Sequence, residues 1–137
     1  MSGGFLVELK CMITTEKFKQ IMQQYGEAWE SLDSQALLRI FSKDATYQAT
    51  PFGKPYKGHE EIRNYWENVV KTKERNVKFT LGNIFVKNNI GIAGWKANFI
   101  RMDNGNSEEL RGIILIEIQN GKIKKLWEYW HKEEKVG

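Results

Sequence analysis

The hydrophobic period of this chain changes once, and that change restricts its fold more than any other feature. Up to about Lys73 the apolar residues recur every three or four positions, whereas from Val77 onward they alternate. Phe18, Ile21, Met22, Tyr25, Trp29 and Leu32 share one helical face. Thr14 or Thr15 can cap that helix by offering a side-chain oxygen to its free N–H groups. Asp33 or Ser34 then caps a shorter helix bearing Leu37, Ile40 and Phe41. A strand over 45–50 stops at Pro51, which has no N–H to give a ladder. Residues 51–58, rich in Pro and Gly, read as a loop of the kind that rims a site. A third helix runs from His59 to about Lys73, with Ile62, Trp66, Val69 and Val70 facing inward.

The second half reads as strands. Val77, Phe79 and Leu81 alternate with Lys78 and Thr80, and Lys87-Asn88-Asn89 makes a turn. A long strand from Ile90 to about Met102 follows, then a turn at Asp103-Asn104-Gly105-Asn106 and a strand from Glu109 to Gln119. Asn120-Gly121 is the strongest short hairpin signal, and Ile123 to His131 forms the last strand. Helices segregated from an antiparallel meander define an α+β domain. The expected shape is a cone, with three helices packed on a curved, mostly antiparallel sheet and an apolar pocket inside. One such domain fills 14–137. Residues 1–13, in which Phe5, Val7 and Leu9 alternate, stand apart as an N-terminal extension, either a short strand or an added leader.

Composition removes several classes of function. The lone Cys11 cannot form an internal disulfide, and His59 and His131 lie far apart, so no metal site is expected. No apolar run approaches the roughly 20 residues of a membrane span, and the N-terminus has no basic segment before a long apolar one, which together predict a cytoplasmic protein. No glycine-rich phosphate loop follows a strand, so no cofactor is expected. The net charge of +4 is mild. Its clusters, Lys71, Lys73, Arg75 and Lys78 and then Lys122, Lys124 and Lys125, fit a solvated helix end and hairpin better than a nucleic-acid surface.

Several stretches resemble the SnoaL-like branch of the nuclear transport factor 2-like (cystatin-like) superfamily. They are Tyr25-Gly26-Glu27-Ala28-Trp29-Glu30, Phe41 to Tyr47, Thr50-Pro51-Phe52-Gly53, Gly58 with Ile62 and Tyr65-Trp66, and Gly121-Lys122-Ile123 leading to Trp127-Glu128-Tyr129-Trp130-His131. The resemblance runs from about residue 15 to 134. It implies the cone fold and a homodimer through the open sheet face, and it leaves the activity open, because this fold hosts isomerases, cyclases, epoxide hydrolases and plain binding proteins. Ketosteroid isomerase-like relatives would place a base at Thr50, an oxyanion-binding tyrosine at Tyr25 and a second acid within Gly112-Ile113-Ile114, and only Tyr25 fits. Epoxide hydrolase-like relatives map their polar triad onto Lys96, Asn98 and His131, and SnoaL-type cyclases place an acid near His131. The nearest SnoaL-like group carries acids where this chain has Asn98 and Arg111.

From the residues themselves, His131 is the candidate proton carrier, because an imidazole titrates near neutrality. Tyr25 is the candidate donor to a developing oxyanion. Trp29, Tyr47, Thr50, Phe52, Trp66, Lys96, Asn98, Arg111, Trp127 and Tyr129 are the candidate ligand-binding residues. Asn98 would orient His131, while alternation puts Glu128 with Leu126 and Trp130 on the opposite face; His59 reads as an exposed helix-entry residue. Which sheet face lines the pocket stays open. Large apolar residues on both faces, Trp130, Ile114, Ile116 and Ile118 among them, predict a homodimer. The expected function is binding of a small, mostly apolar organic molecule, with cofactor-free acid–base conversion (isomerisation, dehydration or cyclisation) as its enzymatic form. The alternative is a non-catalytic ligand-binding or protein-interaction module.

Overall fold

The computed structural model describes residues 12–136. Helix α1 spans Thr15–Ser31 and α2 spans Ser34–Arg39. Strand β1 (Phe41–Gln48) and the two-residue β2 (Tyr56–Lys57) precede α3 (Gly58–Tyr65). A wide π-helical turn, Trp66–Val70, continues α3 into the single turn α4 (Lys71–Lys73). Four long strands follow: β3 (Glu74–Lys87), β4 (Ile90–Arg101), β5 (Ser107–Gln119) and β6 (Lys122–Lys135).

Both helix entries follow side-chain chemistry. Thr14 Oγ1 accepts from Lys17 N at 3.0 Å, and Asp33 Oδ1 accepts from Gln35 N and Ala36 N at 3.0 and 3.2 Å. Helix α1 ends where Leu32 turns left-handed (φ 53°), so that the amides of Leu32 and Asp33 close on the carbonyls of Trp29 and Ala28. Asp33 thus finishes one helix and starts the next. Asp33→Ala is expected to cost about 1 kcal/mol, read as a shifted urea midpoint with unchanged slope.

The six strands form one sheet in the order β2-β1-β6-β5-β4-β3, with β1 parallel to β6 and every other pairing antiparallel. The β5–β6 hairpin closes on Asn120 (φ 54°) and Gly121 (φ 75°), the left-handed pair that a tight two-residue turn requires. The sheet is not strongly curled, and the helices cover one of its faces.

The covered face holds Ala93, Trp95, Ala97 and Phe99 of β4, Leu110, Ile114, Ile116 and Ile118 of β5, and Ile123 and Leu126 of β6. Against it α1 buries Phe18, Ile21, Met22, Tyr25, Ala28 and Trp29. Gly91 makes room for the Phe18 ring, since a β-carbon there would lie 2.3 Å from it. Ile114, Ile116 and Ile118 therefore belong to the core and cannot form an outer interface. Trp130 is half-buried and gives its indole N–H to Ala49 O at 2.9 Å.

The strands depart from their expected bounds at the ends. β1 begins at Phe41, because the parallel pairing with β6 recruits residues before Ala45. The loop before Gly58 contains β2, which pairs with Thr46 and Tyr47. β3 starts at Glu74, and a register shift between Arg75 and Lys78, with Asn76 at φ 53°, accommodates that early start. The N-terminal extension expected at 1–13 lies, up to residue 11, outside the described residues.

Candidate functional site

The covered face is not wholly apolar. Glu128 alternates with Leu126 and Trp130 on β6, so the pleat that buries those side chains buries its carboxylate too, at 6% exposure. On β5 the same logic buries Glu108, two residues before Leu110. Glu74, at the junction of α4 and β3, brings a third carboxylate to this region. An ionised carboxylate away from water is costly unless it accepts strong hydrogen bonds, and these acids differ in how far that need is met.

Glu128 accepts from two phenols. The Tyr25 hydroxyl makes a very short bond to Glu128 Oε1, and Tyr47 donates to the same oxygen at 2.6 Å, with the two hydroxyls 3.0 Å apart. Burial lifts the Glu128 carboxyl to about 6 despite the lowering effect of both phenols. Burial and the neighbouring Glu128 charge in turn push the Tyr25 and Tyr47 phenols well up, so both stay protonated donors. Glu74 Oε1 accepts from Trp29 Nε1 at 2.7 Å. Burial, reinforced by the charges of Glu108 and Glu128, raises Glu74 to about 7 against the lowering pull of Trp29 and Arg101. Glu108 is held by Arg101 Nη1 at 3.3 Å, and Arg101 also grips Asp103 at 2.7 Å.

These groups surround a cavity of about 130 Å³ lined by Tyr25, Trp29, Tyr47, Tyr65, Trp66, Val70, Glu74, Phe99, Glu108, Leu110, Glu128 and Trp130. Five of its walls are aromatic rings: Tyr25, Trp29 and Trp66 meet edge to face, with centroids 6.2, 6.3 and 6.4 Å apart, and Tyr47 and Tyr65 form a tilted pair at 5.7 Å. The site therefore combines aromatic walls, two acids titrating near neutrality and two protonated phenols.

Of the residues singled out in the sequence, Tyr25, Trp29, Tyr47 and Trp66 meet here. The others do not. Lys96, Asn98, Arg111, Trp127, Tyr129 and His131 all project from the uncovered face of the sheet, because each is an odd number of residues from a buried neighbour on its strand. Lys96, Arg111 and His131 lie in one cross-strand row, and Arg111 pairs with Glu109. Asn98 cannot orient His131, since β5 lies between their strands and Asn98 faces Glu109 instead. Thr50 is exposed and Phe52 fully so, outside the cavity. His59 is half-buried, with Nε2 2.9 Å from Phe41 O, and is not the free helix-entry residue expected. Glu74, Glu108, Glu128 and Tyr65 were not among the site residues read from the sequence. The available signal was an acid in an apolar register, Leu126-x-Glu128-x-Trp130 and Glu108-x-Leu110.

The profile of the SnoaL-like domain matches residues 22–126, and the chain belongs to that family. No curated protein matches it by sequence. Among solved structures it is similar to the epoxide hydrolase/cyclase-like enzyme SalBIII of pyran ring formation in the polyether salinomycin (17% identity, 85% of this chain, 92% of that one, TM-score 0.74). It is also similar to a protein of ketosteroid isomerase-like fold from Catenulispora acidiphila, solved with trimethylamine (17%, 80% and 83%, TM-score 0.72). A third is a computationally designed 17-OHP binder (18%, 85% and 96%, TM-score 0.74). These likenesses establish the fold, a helix layer on a mixed sheet. No helix among the described residues is long and apolar enough to cross a membrane.

Proposed function

We propose that the protein binds a small organic molecule in the cavity between α1 and the sheet, and converts it by acid–base chemistry in which Glu128 and Glu74 exchange the protons. The observation that carries this reading is Glu128 itself, a carboxylate buried in the core face, lifted to about 6 and pinned by two phenols. Such an acid is poised to give or take a proton near neutral pH, and neighbouring Glu74, lifted to about 7, supplies the complementary state. Tyr25 and Tyr47 stay protonated and hold Glu128 Oε1 in place with their hydroxyl protons. This moves the proton-carrying role from His131, on the outer face, to Glu128. The relatives add support, since proteins of this fold include an epoxide hydrolase/cyclase-like enzyme and a designed 17-OHP binder. A thermal-shift screen of small hydroxy-, keto- and amino-compounds tests it. A ligand at about 100 times its Kd adds roughly 2.7 kcal/mol, a melting shift on the order of 10 °C. Turnover of such a ligand is expected to fall about 100-fold or more in Glu128→Gln. A flat screen on well-folded protein, or turnover that Glu128→Gln leaves intact, overturns the reading.

The uncovered sheet face supports a second reading, a homodimer. Phe85, Ile113 and Tyr129 are 68%, 46% and 41% exposed, and half-buried Ile92, Leu115 and Trp127 lie beside them in adjoining cross-strand rows. Apolar residues grouped in this way mark an interface. Sedimentation is expected to give a dimer at micromolar concentration and a monomer for Ile113→Lys with Tyr129→Lys.

A further inference from the structure

Resting on the ligand-binding reading above, a narrower inference concerns the charge of the guest. Glu74, Glu108 and Glu128 line the cavity, yet among the described residues no lysine, arginine or histidine does. Arg101, whose charge acts on Glu74 from a distance, is bound to Glu108 and shared with Asp103 outside. Among the described residues the donors acting on Glu74 and Glu128 are neutral groups, the Trp29 indole, the two tyrosine hydroxyls and the Trp130 indole. The site therefore holds a buried Glu128 and a half-buried Glu74, and among the described residues no cation is bonded to either carboxylate. The remaining walls are chiefly aromatic, the surface that best accommodates the methyl groups of an organic cation. A separate observation points to an occupant: Trp66, on the cavity wall and 2% exposed, has its Nε1–H without a hydrogen-bond partner among the described residues. A buried donor of this kind calls for an acceptor atom.

We infer that the cavity takes a small organic ammonium ion, protonated or quaternary, that also carries an oxygen. Its nitrogen sits between Glu74 and Glu128, and its oxygen accepts from Trp66. The volume limits it to about the size of a benzene ring, since roughly 150 Å³ holds benzene.

Choline and its uncharged isostere 3,3-dimethyl-1-butanol separate charge from shape, and tetramethylammonium removes the oxygen. By isothermal titration of the full chain at pH 8, choline is expected to bind at least about tenfold more tightly than the alcohol. Glu74→Gln and Glu128→Gln should each erase most of that difference. Trp66→Phe should weaken choline and not tetramethylammonium. If the alcohol binds as well as choline, or only neutral compounds bind, the cationic guest is overturned while the cavity remains a ligand site. If no compound of any charge binds to protein that melts cooperatively, the cationic guest and the broader ligand-binding reading fall together.

Discussion

Between pH 5 and pH 8 the folded protein is expected to lose roughly 3 to 5 kcal/mol of stability, an unusual direction for a small domain over that range. The sign follows from Glu74 and Glu128. Their folded-state values, about 7 and about 6, lie above the ordinary value of 4.5. Between the two values the native state holds protons that the unfolded state has released, so stability falls as pH rises and levels off above about 7. Below pH 4.5 the slope reverses. Asp44, Glu67 and Asp103 are held below their ordinary values, chiefly by hydrogen bonds from Lys124, Ser34 and Arg101, and those contributions are lost as they protonate. The maximum should fall near pH 4.5. Urea midpoints across pH 4 to 9 measure the curve, and a profile flat from pH 5 to 8 would refute the assignment of two buried acids. Glu128→Gln keeps a neutral acceptor for both phenols, so at pH 8 it should be about 2 kcal/mol more stable than the natural chain, with little difference at pH 5. The residue of greatest chemical interest is then one whose loss strengthens the fold, which separates a functional carboxylate from a structural one.

The second large effect lies in the backbone. A β-carbon on Gly112 would sit 2.0 Å from Tyr129 O and 2.8 Å from Trp130 Cα. Those are main-chain atoms of the adjoining strand, which cannot rotate aside as a ring can. Gly112→Ala must push β6 away from β5 at the Gly112–Trp130 pair, two residues from Glu128. We expect a loss of about 3 kcal/mol or more, together with loss of the Tyr25–Glu128 contact, visible as a lowered tyrosine contribution to near-ultraviolet circular dichroism. Gly94, across β5's other edge, supplies the control. Its added carbon would meet nothing closer than 3.9 Å, so Gly94→Ala should stay within about 0.5 kcal/mol.

Most of the fold could be read from hydrophobic period alone. The faces of α1 and β4, the Asp33 cap and the Asn120-Gly121 turn all follow from local chemistry. The π-helical turn at Trp66 and the strand β2 could not, because neither leaves a period and both depend on tertiary packing. The site was half legible. Alternation correctly separated Glu128 from His131, but it does not say which face turns toward the helices, and that one binary choice decides whether an imidazole or a carboxylate lines the cavity. Glu74 was hidden differently, inside a run of lysines and arginine that reads as solvated surface. It is buried because the chain changes direction there from helix to strand.

The wide turn at Trp66–Val70 makes this helical segment one residue longer per turn than the regular spiral on either side. Each residue of a regular helix advances the azimuth by about 100°, so the surplus residue sets the angle at which everything after it arrives. Trp66 enters the cavity wall from the start of the turn, and Val70 and Glu74 from its end and beyond. Deleting a single residue from 67–69 would restore an ordinary spiral and swing Glu74 off the wall without touching any cavity side chain. A one-codon length change is thus a route by which this scaffold could gain or lose an acid at its centre, and chains of the same fold that differ by such a deletion would carry the same aromatic walls around a different charge.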